Sequence, residues 1–153
     1  MDQPLQNVRH HLECSVQAWS PWYRKDIELL EQVEIRAVKI VEGLKSVSYE
    51  KKLKEISLTS LQDRRMRGDM IQVWKYLHGQ SPGGDKLFNR VNDQQRFSRH
   101  TSKVWNLTRI PSRLDVRKNF FVPRVVATWN SLPHQVQASE NLNSFKNAYD
   151  NMK

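Results

Sequence analysis

The sequence predicts an all-α fold, an irregular bundle of about five helices with room for a small β-ribbon near residues 103–116. Several segments repeat apolar residues at intervals of three and four, which is the period of one helix face. Residues that cap helix starts precede these segments, and glycine or proline follows them. The 153 residues fit one domain of ordinary size with a modest core.

The first strong helical pattern begins at Asp26, which can cap a helix start, and Gly43 stands where a left-handed C-terminal residue is favoured. The apolar face of this helix comprises Ile27, Leu30, Val33, Ala37, Ile40 and Leu44. Upstream, Ser20 followed by Pro21 is typical of a helix start, so we expect a short helix or turn there.

Two further helices follow in the middle of the chain. Ser48 can cap a brief one, and Ser60 with Asp63 three residues later resembles a capping box that opens a longer one. The apolar face of the longer helix comprises Leu61, Met66, Met70, Val73 and Leu77. Gly79 and the Ser-Pro-Gly-Gly run at residues 81–84 are expected to end it.

The next part of the chain lacks a clear period. Residues 85–102 are rich in Asn, Gln, Ser and Arg, which predicts a long basic loop with at most a short helix at Leu87 and Phe88. Residues 103–110 are β-prone, and a ribbon that pairs them with Leu114 and Val116 is weakly indicated.

Two helices are expected at the C-terminal end. Asn119 can cap the first, which would hold Pro123 in its first turn, where no intrahelical partner for a backbone N–H is required. The second has an apolar face of Leu142, Phe145, Tyr149 and Met152. The chain therefore divides into a helical part (residues 1–80), a basic loop (81–102) and a C-terminal tail with two helices (103–153).

The charge balance predicts an anionic partner. Lysine and arginine number 25 against 16 acidic residues, for a net charge of +9, so phosphates, anionic lipids or acidic proteins should be attracted. Residues 85–124 concentrate the excess, with ten basic side chains against three aspartates. The candidate nucleic-acid contacts are Arg64, Arg65, Arg67, Lys75, Arg99, Lys103, Arg117, Lys118 and Arg124.

Two interpretations of the three arginines at residues 64–67 stay open. They fall in one helical turn, where guanidinium groups could pair with the phosphates of a duplex. Alternatively they line a solvated or protein-facing helix surface, with Arg65 paired to Asp69 four residues later. Aromatic residues in the basic region raise a similar choice between base stacking and core packing. We expect core positions for Phe121, Trp129, Phe145 and Tyr149 and leave Trp105 open.

The sequence shows no recognisable set of catalytic residues or metal ligands. A single cysteine, Cys14, excludes an intramolecular disulfide, and His10 and His11 beside it lack the second ligand pair of a structural zinc site. No nucleophile has a recognisable base, and no glycine-rich phosphate loop follows a strand. We expect neither catalytic residues nor a cofactor. Without a membrane span or signal peptide, an intracellular location, nuclear or cytoplasmic, is expected.

Several phrases in order along the chain resemble the C-terminal thumb and tail of reverse transcriptases from non-LTR (LINE-type) retrotransposons of the jockey-like or chicken-repeat-like clades. They are HLECSVQAWSPW, KDIELLEQVEIRAVKI, SYEKKL, LTSLQDRRMRGDMIQVWKYL, RKNFFVPRVVATWNSLP and NSFKN. Each phrase alone is weak, and their order and spacing over residues 11–146 make the match specific.

The resemblance implies a helical thumb, residues 1–80, that grips the template-primer duplex beside a polymerase palm. The family's Tyr-x-Asp-Asp motif, which holds two catalytic metals, lies upstream of this region and has no counterpart here. The implied partners are RNA or an RNA–DNA hybrid, the palm of a longer protein, and a second copy of the chain. No enzymatic activity is expected of the chain alone.

Two other functions stay open at the level of sequence. An inert or domesticated transposon relic could act as a protein-interaction module, with Trp19 and Trp22 as its contact. A basic helix could instead lie on an anionic membrane.

Overall fold

Helices dominate the computed structural model, which describes residues 3–40, 51, 59–91 and 105–152. Within these ranges the helices are α1 (Gln3–Glu13), α2 (Val16–Trp19), α3 (Arg24–Ile40), α4 (Leu61–Leu77), α5 (Gly84–Leu87), α6 (Asp115–Lys118), α7 (Phe121–Ser131), α8 (His134–Gln137) and α9 (Leu142–Asp150). The predicted all-α fold is confirmed. No helix of the described ranges is long and apolar enough to cross a membrane.

The suggested β-ribbon does not form in the described residues. Leu107 makes an isolated antiparallel bridge with Arg90, and the backbone N–H of Thr108 donates to the carbonyl of Asn89 at 2.8 Å. Val116, expected opposite this run, lies instead in the helical turn α6. The β-prone run therefore pairs with the preceding loop, and the ribbon prediction is wrong.

The chain divides into two compact units, Met1–Gly68 and Asp69–Lys153, and the boundary falls inside α4. This division lies earlier than the expected end of the helical part at residue 80. Each unit has its own buried residues and is described separately.

The first unit packs α1 against α3 around a buried ion pair. Arg9 Nε donates to Glu34 Oε1 at 2.5 Å, and Arg9 Nη2 donates to the carbonyl of Thr59 at 2.6 Å. Because Glu34 turns inward, the buried face of α3 holds Glu34, Ala37 and Val38. Val33, predicted on the buried face, is 43% exposed.

The second unit has a larger apolar core around Trp129. Three of the four predicted core aromatics are buried, namely Trp129, Phe145 and Tyr149, whereas Phe121 is half-buried. Further core residues are Met70, Val73, Trp74, Leu77, Phe88, Leu107, Val125 and Val126. The side chain of Asn130 bonds both the N–H and the carbonyl of Leu107 at 2.8 Å, which fixes the loop onto α7.

Several predicted helix ends are confirmed. The N–H of Asp63 donates to Ser60 Oγ at 3.2 Å, and the Ser60 hydroxyl donates to the Asp63 carboxylate at 2.8 Å, so this pair caps α4. Gly79, with a φ of 70°, follows the end of α4. Pro123 lies in the first turn of α7, where its missing N–H leaves no gap in the helix.

Other predicted helix ends are wrong. Ser20 ends α2 instead of starting a helix, since its N–H donates to the carbonyl of Val16. Asp26 is inside α3, which begins at Arg24. Asn119 ends α6, and Phe120 precedes α7. The positions Gly43 and Ser48 lie outside the described residues.

Candidate nucleic-acid interface

Arg65 on α4 turns into the first unit. It is only 5% exposed, and its guanidinium carbon lies 5.7 Å from the centroid of the Trp19 ring. Burial lowers the pKa of Arg65, while the carboxylates of Glu31, Glu34 and Glu13 oppose that shift. Its Nε and Nη2 have no hydrogen-bond partner in the described part of the chain. Arg65 therefore lies buried near the carboxylates of the first unit and is not presented to a phosphate.

Arg64, the neighbour of Arg65 on α4, is also engaged within the first unit. Arg64 makes a two-pronged ion pair with Glu13, and its Nη2 donates to Glu13 Oε2 at 2.8 Å. Arg67 is half-buried and has an interaction partner as well. The ion pair of Arg64 with Glu13 is thus a structural contact that joins α4 to α1.

Arg124 on α7 and Asp69 on α4 form an ion pair within the second unit. Arg124 Nη2 and Nε donate to Asp69 Oδ2 at 3.0 and 3.2 Å, and Nη1 donates to the carbonyl of Asn119 at 3.3 Å. The alternative pairing of Arg65 with Asp69 is therefore wrong. Burial raises the pKa of Asp69, although the charge and hydrogen bonds of Arg124 oppose the rise.

Exposed cations gather in the second unit over residues 109–120, which we name the basic segment. Arg109, Arg113 and Arg117 are exposed, and none of their guanidinium groups has a hydrogen bond or ion pair to another described residue. Apolar side chains lie exposed among them, with Leu114 at 70% and Phe120 at 61%. The segment therefore offers unpaired guanidinium groups next to uncovered apolar surface.

The one acid of the basic segment is paired inside it. Lys118 Nζ donates to Asp115 Oδ1 at 2.7 Å on the surface of α6. The hydrogen bond and the charge of Lys118 hold the pKa of Asp115 below its usual value. Because Lys118 neutralises this acid, the three arginines set the charge of the segment.

The remaining predicted contacts divide between half-buried and undescribed positions. Lys75 is half-buried in the last turn of α4. Arg99 and Lys103 lie outside the described residues. Of the nine predicted contacts, Arg117 and Lys118 are the two that the described structure leaves exposed.

A stack of three rings and a guanidinium lies in the second unit. The ring centroids of Trp74 and His78 lie 4.0 Å apart, and the angle between the two ring planes is 13°. The centroids of His78 and Trp105 lie 4.4 Å apart, with an angle of 11° between the planes. The guanidinium carbon of Arg90 lies 4.9 Å from the centroid of the Trp105 ring. Trp105, left open by the sequence, is thus a packed layer of this stack.

Sequence reasoning did not single out Arg90, Arg109 or Arg113 as contacts, although it counted them in the basic region. A usable signal was present for Arg113 and Arg117, because Leu114 and Val116 alternate with charged residues and belong to no predicted helix face. Arg90 had no such signal, since its stack depends on Trp105 fifteen residues later. Among the described residues, no three His, Cys, Asp or Glu side chains cluster as metal ligands.

These features define an all-α protein with an exposed arginine-rich segment in its second unit. Comparison with known proteins gives no match to a protein-family model, a curated protein or a solved structure.

Proposed function

We propose that this chain binds RNA or an RNA–DNA hybrid through contacts between the basic segment and the phosphate backbone. The observation that carries the proposal is the exposure of Arg109, Arg113 and Arg117, whose guanidinium groups have no partner among the described residues. Guanidinium groups match phosphate oxygens in geometry and stay charged at all working pH values. Binding of this kind depends little on sequence and strongly on salt.

The apolar side chains of the basic segment suit the same partner. Phe120 follows α6 and is largely exposed, so it can stack against an unpaired base while the neighbouring arginines contact phosphates. This combination suits a nucleic acid that presents an unpaired base beside its phosphate backbone.

We further propose that the chain is the thumb and tail of a LINE-type reverse transcriptase without its catalytic palm. Support comes from the ordered family phrases and from the helical character that a thumb requires. In this proposal the chain grips the template and primer, and any polymerisation belongs to fingers and palm supplied upstream in a longer protein. The chain alone has no enzymatic activity.

Binding to labelled RNA–DNA hybrid and to single-stranded RNA across a salt series tests the backbone contacts. The variant Arg109→Ala, Arg113→Ala, Arg117→Ala should bind more weakly at low salt. Because three phosphate contacts are lost, the slope of log K against log salt should fall by about 2 for single strands and about 3 for a duplex.

A charge-matched control separates a local contact from general attraction. The variant Lys25→Ala, Arg36→Ala, Lys39→Ala removes three exposed cations from α3, so it loses the same net charge. We expect it to keep a slope close to that of the wild type. Equal losses in both variants, or no wild-type binding at low salt, would rule out the basic segment as the interface.

A protein-interaction module is the second candidate, and exposed apolar residues of the first unit favour it. The exposed residues Trp22 and Tyr23 have ring centroids 3.9 Å apart. Leu29 and Val33 are also exposed, one turn apart on α3. A second copy of the chain is the partner we test. Sedimentation at high salt should show a salt-resistant oligomer that the variant Leu29→Glu, Val33→Glu returns to monomer.

A further inference from the structure

A cleft with a volume of about 700 Å³ lies in the second unit, beside the end of α4 and the turn that leads into α5. Gly84 makes this arrangement possible, because a Cβ there would lie 2.3 Å from the carbonyl oxygen of Tyr76. The preceding Gly83 has a φ of 85°, which L side chains rarely adopt. The glycines therefore hold the turn against α4 and shape one wall of the cleft.

Arg90 lines this cleft and also ends the aromatic stack. Its Nη2 donates to the carbonyl of Leu77 at 2.7 Å, and its guanidinium carbon lies over the Trp105 ring. A guanidinium has five N–H donors, and the contact with Leu77 uses one of them. The side chain is thus held in place by two contacts and keeps donors for an anion in the cleft.

The other walls carry groups that suit a nucleotide better than a bare anion. Asp85, which carries a carboxylate, and Asn89, which carries an amide, line the same cleft, as does Tyr76. A carboxylate disfavours a small free anion but accepts hydrogen bonds from the amino groups of a base. A cleft of this volume also falls in the range of small-molecule sites.

The backbone joins this cleft to the basic segment. The N–H of Val91 donates to the carbonyl of Asn106 at 3.0 Å, and the N–H of Thr108 donates to the carbonyl of Asn89. The residue after Thr108 is Arg109, where the basic segment begins. The wall of the cleft and the start of the exposed arginines are therefore hydrogen-bonded neighbours within one unit.

We propose that the cleft holds one unpaired nucleotide of a single-stranded nucleic acid, with its phosphate on Arg90 and its base towards Asp85 and Asn89. This inference rests on the proposed nucleic-acid binding and names a subsite for it. The basic segment contacts the neighbouring phosphates, and the cleft takes the nucleotide at the end of that path.

Titration of the full chain with AMP, adenosine and inorganic phosphate tests the subsite. Calorimetry reports binding, and tryptophan fluorescence reports on the stack that Arg90 covers. Because charged hydrogen bonds to the phosphate are lost, Arg90→Ala should weaken AMP binding at least about tenfold, and Arg90→Lys should weaken it less. AMP should bind more tightly than either adenosine or phosphate alone.

Two further variants keep the test decisive. Asn89→Asp adds a negative charge to the cleft while Arg90 stays in place, so it should weaken AMP binding even if Arg90→Ala fails to fold. Lys86→Ala removes an exposed cation of α5 that does not line the cleft, and it should bind AMP as the wild type does.

The outcomes separate this inference from the proposed function. Binding of RNA without binding of AMP would contradict the proposed nucleotide site in the cleft but not the proposed binding of RNA. Equal binding of AMP and inorganic phosphate would show a simple anion site and contradict the proposal that the cleft holds a nucleotide. Loss of RNA binding in the basic-segment variant with AMP binding intact supports two distinct contacts. AMP binding that neither Arg90→Ala nor Asn89→Asp changes places the ligand elsewhere.

Discussion

The side chain of Glu34 is fully buried in the first unit, where its carboxylate forms an ion pair with Arg9. Such a pair contributes little net stability, because the desolvation of both charges offsets their attraction. Removal of one partner is different, since it leaves the other charge buried alone. Arg9 is sensitive in this respect, because its Nη1 already has no hydrogen-bond partner among the described residues.

Glu34→Leu should therefore destabilise the first unit by about 3 to 5 kcal/mol, because the Arg9 guanidinium would stay buried without its carboxylate. The double variant Arg9→Met, Glu34→Leu should recover most of that loss. Chemical denaturation of the single and double variants gives the coupling between the two residues. Additive losses would show that the ion pair does not link α1 to α3.

His78 makes the second unit sensitive to mild acid. Burial between the two indole rings lowers the pKa of His78, Arg90 lowers it further, and donation from Nδ1 to the Trp74 carbonyl opposes the shift. The neutral form is thus favoured in the folded state. The resulting stability is fully present above the unfolded pKa near 6.5 and is lost as pH falls below it.

We predict that the wild-type melting temperature falls between pH 7.5 and 5.5, and that His78→Phe reduces this fall because it removes the titrating ring. The variant keeps an aromatic layer between Trp74 and Trp105. His134→Gln alters an exposed histidine and should retain the wild-type pH dependence. A pH dependence that is the same in all three proteins would contradict the role of His78.

At the residue scale, the sequence predicted which side chains carry charge but not which of them are satisfied internally. Arg65 and Arg117 look alike in a basic sequence, yet one is buried and the other exposed. The difference arises from partners far along the chain. Asp69 pairs with Arg124 rather than with its helical neighbour, a separation of 55 residues. No local spacing rule contains that information.

At the scale of elements, the turn before α5 depends on a close approach between backbones. Gly84→Ala should destabilise the second unit by about 1 to 3 kcal/mol, because the new methyl group would overlap the Tyr76 carbonyl. Gly68→Ala is the matched control, since a Cβ there meets nothing within 4 Å in the middle of α4. It should stabilise by about 0.5 to 1 kcal/mol through helix propensity. Thermal melting of the two variants should give shifts of opposite sign.

The helices α3, α4, α7 and α9 were predicted, and so was a short helix near Leu87 that corresponds to α5, whereas α1 and the single turns α6 and α8 were not. A helix such as α4 repeats its apolar period over 17 residues and has a cap at its start, so its existence and ends follow from the sequence. Single turns such as α2 and α6 have four residues, which is too short to show a period. The weak β signal near residue 107 reflected one bridge to Arg90, which requires tertiary contact.

At the scale of the whole molecule, a net charge of +9 predicts attraction to polyanions but does not locate it. The division into two units gives the arginines different roles. Arg64 and Arg65 belong to the ion network of the first unit, whereas the basic segment of the second unit faces solvent. Stability and binding should therefore respond to different substitutions.

The variant Arg64→Ala, Arg65→Ala, Arg67→Ala should lower the free energy of unfolding of the first unit by about 3 kcal/mol or more. It removes the partner of Glu13 and leaves a cavity and uncompensated acids where Arg65 was buried. The variant Arg109→Ala, Arg113→Ala, Arg117→Ala changes exposed groups alone, so its stability should stay within about 0.5 kcal/mol of the wild type.

Urea denaturation and RNA binding of both variants, measured in one buffer, decide between the two roles. We expect the first variant to lose stability and, under conditions where it stays folded, to keep the salt slope of the wild type. The second variant should keep stability and lose slope, because its arginines release counterions from the phosphates. If the first variant folds normally and loses slope instead, Arg64 and its neighbours contact the nucleic acid, and the interface lies on the first unit.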